Sequence, residues 1–125
     1  MATALPDDAV AQISAPQPIA VGETARGALD LPNPGDPSIP AVACYAIEAP
    51  PQTDLAITLT SSAFRPEVWF ARGALCSSAA IQGRASANDG DHRNARLRVT
   101  AQGGRYLIMV RGTASTATGL YQLRV

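Results

Sequence analysis

Short runs in which apolar and polar side chains strictly alternate are the feature that most constrains the fold of this chain. The run Asp54–Thr60 (DLAITLT) places two leucines and an isoleucine on one face and alanine and threonine on the other. No segment shows the apolar spacing of an amphipathic helix. A period of two residues is the period of a β-strand with one buried face, so the sequence predicts an all-β protein.

Six predicted strands share this alternation, or are short aromatic or apolar runs, and are bounded by glycine, proline, asparagine or aspartate. They are Ala43–Ala49, Asp54–Thr60, Glu67–Ala71, Ala95–Ala101, Arg105–Arg111 and Gly119–Val125. Because Arg105–Arg111 (RYLIMVR) is apolar on both faces, we place it in the centre of a sheet. Tyr45, Tyr106 and Tyr121 fall at inward positions of their strands.

An N-terminal strand pair is predicted within Pro18–Leu31, with Gly22 and Gly27 as turn or bulge positions. Pro32–Pro40 contains four prolines in nine residues and cannot join a central ladder, because proline lacks the amide donor. The Ser/Ala/Gly-rich stretch Cys76–Asn94 is also predicted to be irregular. Seven or eight short strands favour an antiparallel sandwich over residues 18–125, and the Pro- and Ala-rich residues 1–17 are predicted to be an extended arm.

The net charge of the 125-residue chain is zero, but the charges are unevenly distributed. Residues 1–91 carry ten acids and four arginines (−6), whereas residues 92–125 carry six arginines and no acid (+6). The length supports one domain, and no apolar run reaches the roughly 18 residues that span a bilayer. A neutral total argues against a general nucleic-acid binder, although it does not forbid an anionic partner.

Arginine and tryptophan supply the candidate ligand face. Arg96 and Arg98 share one face of a predicted strand, and Arg105, Arg111 and Arg124 lie on or beside others. If these strands are neighbours, they form a basic stripe suited to an anionic partner such as polysaccharide, DNA or lipid headgroups; ordinary solvated sheet faces are the alternative. An exposed Trp69 favours sugar stacking and a buried one favours the core, so the candidate face consists of Trp69, Arg96, Arg98 and Arg111.

The sequence does not support a catalytic site, and it gives weak support for a metal site. His92 is the one histidine, on a polar loop, and no G-x-S-x-G occurs, so we do not predict an enzyme. Asn88, Asp89 and Asp91 around Gly90 offer oxygen ligands for calcium, with an ordinary Asx turn as the alternative. Cys44 and Cys76 permit one disulfide, or remain two buried thiols in a cytosolic protein.

Several short motifs also follow one another along the chain in an order that is typical of one known family. They are Gly22-Glu23 and Gly27-Ala28-Leu29, the strand Tyr45–Pro50, the strand Leu55–Ser61, Phe64-Arg65-Pro66, Gly103–Val110 and Gly119–Val125. Over about residues 19–125 this order resembles the bacterial pre-peptidase C-terminal domain, a jelly-roll-like β-sandwich of exported proteins. The family often has Phe-Asp-Pro where this chain has Phe64-Arg65-Pro66, and its acidic loop is reduced here to residues 88–91. Both departures weaken the calcium prediction.

The resemblance implies an antiparallel jelly-roll-like sandwich of about eight strands, acting as a non-catalytic accessory or interaction domain of an exported bacterial protein. A carbohydrate- or anionic-polymer-binding module is the alternative function. Expected partners are another domain or protein of the same secreted system, or a polysaccharide. Met1–Val10 does not resemble a signal peptide, so an extracytoplasmic location, periplasmic or secreted, requires one outside this chain. That location favours the Cys44–Cys76 disulfide.

Overall fold

The computed structural model describes residues 16–30, 41–73, 80–87, 93–114 and 117–125. Within these ranges the chain forms nine strands and no helix. The strands are β1 (Gln17–Pro18), β2 (Thr24–Leu29), β3 (Ala43–Ala49), β4 (Thr53–Thr60), β5 (Pro66–Arg72), β6 (Ala80–Ser86), β7 (Asn94–Ala101), β8 (Gly104–Gly112) and β9 (Gly119–Arg124).

The strands form two sheets that face each other across one core. The first sheet has five strands in the order β1-β3-β8-β5-β6, and the second has four in the order β2-β9-β4-β7. All pairings are antiparallel except the short parallel pairing of β1 with β3. The predicted all-β, antiparallel, jelly-roll-like sandwich is therefore confirmed.

The core is built from the alternate residues that the sequence pattern assigned to the inward faces. Ile57, Leu59 and Leu123 of the four-stranded sheet are 0–1% exposed, and they belong to the same buried cluster as the inward side chains of β3, β5 and β8. Phe70 and Tyr106 stack within it, with ring centroids 4.7 Å apart. β8 lies between β3 and β5, which confirms its predicted central place.

The turn between β7 and β8 depends on two adjacent glycines. Gly103 and Gly104 have φ angles of +107° and +101°, a region that side chains with a Cβ rarely adopt. A Cβ on Gly103 would also lie 3.0 Å from Cγ of Pro51. This turn connects β7 of the four-stranded sheet to β8 of the five-stranded sheet.

Two sequence predictions about strands were wrong. The strands within Pro18–Leu31 do not pair with each other, because β1 joins the five-stranded sheet and β2 joins the four-stranded one. The stretch Cys76–Asn94 was predicted to be irregular, yet it contains β6. β6 lacks the alternating large apolar residues that predict a strand, because its inward residue 83 is a glycine. Gly83 faces Val99 and Leu97 of the opposite sheet, and a Cβ on it would lie 3.4 Å from Val99. Residues 1–15 and Pro32–Pro40 lie outside the described residues.

Candidate binding surfaces

The outer face of the four-stranded sheet carries four exposed arginines, which we call the arginine face. Arg26 lies on β2, Arg124 on β9, and Arg96 and Arg98 on β7. Each occupies an outward position in a strand whose alternate residues are buried or partly buried. Strand β4 lies between β9 and β7 and presents only small or polar side chains outward.

Strand register places uncharged residues opposite these arginines. Arg124 lies between Thr24 of β2 and Thr58 of β4, and Thr58 in turn lies opposite Arg96. These four residues form one row across all four strands.

The other two arginines lie on either side of that row. Arg26 is opposite Gln122, and its Nε donates a hydrogen bond to Oε1 of Gln122 at 3.3 Å. Arg98 is opposite Ala56. No cross-strand neighbour of the arginine face is therefore an acid.

On the five-stranded sheet, two arginines of β8 lie opposite acidic residues. Arg105 of β8 lies opposite Glu48 of β3. Arg111 lies opposite Glu67 of β5, with its Nε 3.4 Å from Oε1. Cross-strand pairs of opposite charge stabilise a sheet and neutralise its surface. Two of the four arginines in this sheet thus lie opposite acids, whereas Arg72 and Arg84 lie opposite uncharged residues. On the arginine face, no directly opposite residue is acidic.

Asp54 is the single acidic residue in the four strands of the second sheet. Its Oδ1 accepts a hydrogen bond from Oγ1 of Thr100 at 2.8 Å. Asp54 lies opposite Thr100 at the far end of β4, two residues beyond the Ala56–Arg98 pair. Among the described residues, Arg26, Arg98 and Arg124 therefore have no carboxylate opposite them in the strand register.

Two shallow depressions lie beside the arginines at opposite ends of this face. One, of about 310 Å³, is lined by Ala56, Arg98 and Thr100 among others. The other, of about 300 Å³, includes Arg26 and Gln122, together with Leu120, which is 74% exposed. Each depression is large enough for a small polar group next to a guanidinium.

Trp69 lies on the outer face of the five-stranded sheet and is only partly exposed. The guanidinium carbon of Arg111 lies 5.0 Å from the centroid of the indole ring, a cation–π contact. The indole nitrogen is buried and has no hydrogen-bond partner. Trp69 also packs beside an apolar cluster that includes Leu107 and Met109. The ring is therefore not the open flat platform that sugar stacking requires.

The candidate ligand face of the sequence analysis is divided between the two sheets. Trp69 and Arg111 lie together on the five-stranded sheet, whereas Arg96 and Arg98 belong to the arginine face. Arg105 of the predicted basic stripe likewise lies on the five-stranded sheet, while Arg124 joins the arginine face. Sequence reasoning missed Arg26 because it lies in the acidic part of the chain. Only the pairing of β2 with β9 brings it beside Gln122.

A separate cavity, of about 300 Å³, opens between the two sheets where β2 faces β3. Tyr45 and Tyr121 line it, and their hydroxyl oxygens are 2.6 Å apart. Burial, together with the hydrogen bond between Tyr121 and Tyr45, raises the pKa of the Tyr121 hydroxyl far above its ordinary value. The Tyr121 hydroxyl is therefore neutral at physiological pH, and its hydrogen bond with Tyr45 is a structural link between the two sheets.

The remaining predicted site residues are described only in part. Cys44 is 2% exposed and packs with Ala71, Leu107 and Met109 on the outer side of the five-stranded sheet, but Cys76 lies outside the described residues. The calcium candidates Asn88, Asp89 and Asp91 also lie outside them, as does His92. In the part of the chain that the structure describes, no three potential metal ligands cluster. The disulfide and the calcium site remain predictions.

No protein-family model and no curated protein matches this sequence. Among solved structures, the chain is similar to the pre-peptidase C-terminal domain of collagenase from Bacillus anthracis, with a TM-score of 0.63 and 15% identity over 86% of this chain and 91% of that one. It is also similar to CorA, a surface-associated copper-binding protein of Methylomicrobium album BG8 (TM-score 0.58, 6% identity, 87% and 96% covered). The mitogen from Yersinia pseudotuberculosis is a third neighbour (TM-score 0.54, 11% identity, 81% and 80% covered).

At these identities the likeness shows the fold. The resemblance to a pre-peptidase C-terminal domain that the sequence predicted is thus confirmed at the level of the β-sandwich. Separately, the described residues contain no helix that is long and apolar enough to cross a membrane.

Proposed function

We propose that this chain is a non-catalytic accessory domain of an exported bacterial protein and that it binds an anionic polymer through the arginine face. The observation that carries the proposal is the register of the four-stranded sheet. It places threonine, glutamine or alanine opposite Arg26, Arg96, Arg98 and Arg124, while acids lie opposite Arg105 and Arg111 on the other sheet.

Guanidinium groups suit such a ligand for geometric as well as electrostatic reasons. The planar guanidinium donates two parallel hydrogen bonds to a carboxylate, sulfate or phosphate. A single exposed ion pair contributes only about 0–1 kcal/mol. Several contacts along one polymer chain act together, because each new contact forms within an already tethered ligand. A flat face with four arginines therefore favours a polymer over a small anion.

The chemistry of this face supports binding and not catalysis. Arginine remains protonated in proteins and does not act as a proton-transfer group near neutral pH. The neighbouring Thr58 and Thr60 carry hydroxyls, but Thr60 already donates to Oδ1 of Asn94 at 2.9 Å. A nucleophilic hydroxyl needs an adjacent general base, and the residues opposite Thr58 are Arg96 and Arg124.

The accessory role and the location outside the cytoplasm are supported by the likeness of the fold to the pre-peptidase C-terminal domain of a bacterial collagenase. The resemblance seen in the sequence implies the same role. A Cys44–Cys76 disulfide, if found, would be consistent with an oxidising compartment. The carrier, or another component of the same secreted system, would then be held close to an anionic polymer by this domain.

Retention on an immobilised polyanion tests the proposal. The protein should bind a heparin column at low salt, elute as salt rises, and pass through neutral dextran unretained. The double variant Arg98→Gln/Arg124→Gln should elute at clearly lower salt than the wild type.

The matched control is Arg84→Gln/Arg105→Gln, which removes two exposed arginines from β6 and β8 of the other sheet. It changes the net charge equally and should elute close to the wild-type position. Equal shifts for both double variants would show that only net charge matters, and absence of retention at low salt would overturn the proposal.

A further inference from the structure

Arg26, Arg124 and Arg98 of the arginine face lie along one diagonal of the sheet, and Arg96 lies beside that diagonal on the same strand as Arg98. Arg124 and Arg96 belong to the same cross-strand row. Arg26 lies two residues from that row in one direction, level with Gln122, and Arg98 lies two residues from it in the other. With strands about 4.8 Å apart and a rise of about 3.4 Å per residue, the diagonal from Arg26 to Arg98 is roughly 20 Å long.

Uncharged hydrogen-bonding groups fill the spaces between these arginines. Thr58 lies between Arg124 and Arg96 in the row, Thr24 lies beside Arg124, and Gln122 lies beside Arg26. Hydroxyl and amide groups both donate and accept hydrogen bonds. A ligand that alternates anionic groups with hydroxyl groups would satisfy both kinds of side chain.

No aromatic side chain lies on this face, since all six aromatic residues of the chain are described and each lies elsewhere. Tyr45, Tyr106, Tyr121 and Phe70 are buried in the core, and Phe64 packs against it. Trp69 lies on the other sheet. Single-stranded nucleic acids bind proteins largely by stacking their bases on aromatic rings. A four-stranded face is also too wide for the major groove of DNA, which admits a helix or a two-stranded ribbon.

We propose that the polymer is a linear acidic polysaccharide and that its chain runs along the diagonal from Arg26 to Arg98. The inference rests on the proposed function, because it names the class of anionic polymer that the arginine face binds. The sugar hydroxyls contact the threonines and the glutamine, and the acidic groups contact the guanidiniums. The depressions beside Arg26 and Arg98 lie at the two ends of this path.

The diagonal predicts a dependence on chain length. A galacturonate monomer or dimer contacts only part of the path, so its affinity should be low. Affinity should rise with oligomer length until the chain reaches roughly 20 Å, the length of the diagonal, and then change little. Replacing an arginine at either end shortens the path, so the variant should reach its plateau with a shorter oligomer.

Titration calorimetry with size-fractionated oligogalacturonates and with oligothymidylates of equal length tests this inference. For long oligogalacturonates we expect Arg26→Gln and Arg98→Gln each to weaken binding about five-fold, while Arg84→Gln leaves it unchanged. Oligothymidylate should bind at least about ten-fold more weakly at the same salt concentration. Thermal unfolding of each variant verifies that these exposed substitutions leave the fold intact.

The outcomes separate the two proposals. Oligothymidylate binding as tight as oligogalacturonate binding overturns the polysaccharide inference and leaves the polyanion function standing. Binding that does not depend on length, or that Arg84→Gln weakens as much as Arg98→Gln does, overturns the diagonal path. Failure to bind either polymer, or heparin, overturns both proposals.

Discussion

The hydroxyl oxygens of Tyr45 and Tyr121 lie 2.6 Å apart inside the sandwich, in a hydrogen bond that joins the two sheets. Tyr45 belongs to β3 of the five-stranded sheet and Tyr121 to β9 of the four-stranded sheet. Their rings meet edge to face, with centroids 6.5 Å apart and an interplanar angle of 83°. Both side chains are buried, so each hydroxyl depends on the other for this bond.

Removing both of these hydroxyls should cost less than the sum of removing each one alone. Tyr121→Phe leaves the buried hydroxyl of Tyr45 without its partner, and we expect a loss of about 1–3 kcal/mol in the free energy of unfolding. The double variant Tyr45→Phe/Tyr121→Phe should lose less than the sum of the single variants. Urea denaturation measures all three. Strictly additive losses would show that the hydrogen bond makes no net contribution.

Stability should fall at alkaline pH because Tyr121 titrates abnormally. Burial raises the pKa of its hydroxyl above the value of about 10 found in unfolded chains. The stability gained from keeping Tyr121 protonated is therefore fully present below pH ~10 and is lost as the pH rises further. Measuring the free energy of unfolding from pH 8 to 11 checks this prediction, because pH 11 lies about one unit above the ordinary tyrosine pKa. Tyr121→Phe should show a smaller alkaline decline, and an equal decline would contradict the assignment.

Gly27 should not tolerate a side chain, although it lies in an edge strand. A Cβ at this position would come within 2.6 Å of the Tyr121 hydroxyl oxygen and 2.8 Å of Cζ. Gly27→Ala therefore displaces a buried ring and should destabilise the protein by about 1–3 kcal/mol. The matched control is Gly83→Ala in the other sheet's edge strand, where the nearest atom would be 3.4 Å away. Thermal melts should separate the two variants; similar melting temperatures would refute the steric argument.

The predicted disulfide between Cys44 and Cys76 can be tested by counting the free thiols of the unreduced protein. The denatured, unreduced protein should contain no titratable thiol. Reduction should lower the free energy of unfolding by about 3–4 kcal/mol, the value that chain-entropy models assign to a loop of this size. Two titratable thiols in the unreduced protein would rule out the disulfide. The Cys44→Ser/Cys76→Ser variant should show no response to reductant.

Trp69 provides a spectroscopic test of which sheet binds the polymer. Because Trp69 lies on the five-stranded sheet beside Arg111, polysaccharide binding at the arginine face should leave its fluorescence maximum unchanged. Arg111→Gln should alter the emission by removing the guanidinium from the ring, without weakening polymer binding. A shift of the Trp69 emission on adding neutral oligosaccharides would instead point to sugar stacking on the indole ring.

Local alternation predicted most of the strands. β3 was predicted with its observed bounds, Ala43–Ala49, and β8 was placed correctly in the centre of its sheet. The prediction failed at β6, whose inward positions hold the small residues Gly83 and Ala85 in place of large apolar ones. It failed again at β1 and β2, whose separation into two sheets depends on long-range pairing. Alternation reports which residues face inward, but it does not report which strands are neighbours.

The candidate site was predicted less completely for the same reason. The sequence singled out Arg96 and Arg98 because they are two residues apart on one strand. It grouped them with Trp69 and Arg111, which the topology places on the opposite outer face. Arg26 became part of the surface only through the pairing of β2 with β9.

By itself, the sequence determined the all-β class, the inward faces and the division into an acidic part and an arginine-rich part, because these depend on local period and composition. Only the tertiary structure decided what the charge division means. In the five-stranded sheet, register brings early acids such as Glu48 opposite late arginines such as Arg105. In the four-stranded sheet it brings Arg124 between two threonines. Opposite charges cancel only where strand pairing makes them neighbours, so the strand register, and not the neutral total charge, decides which arginines lie opposite an acid.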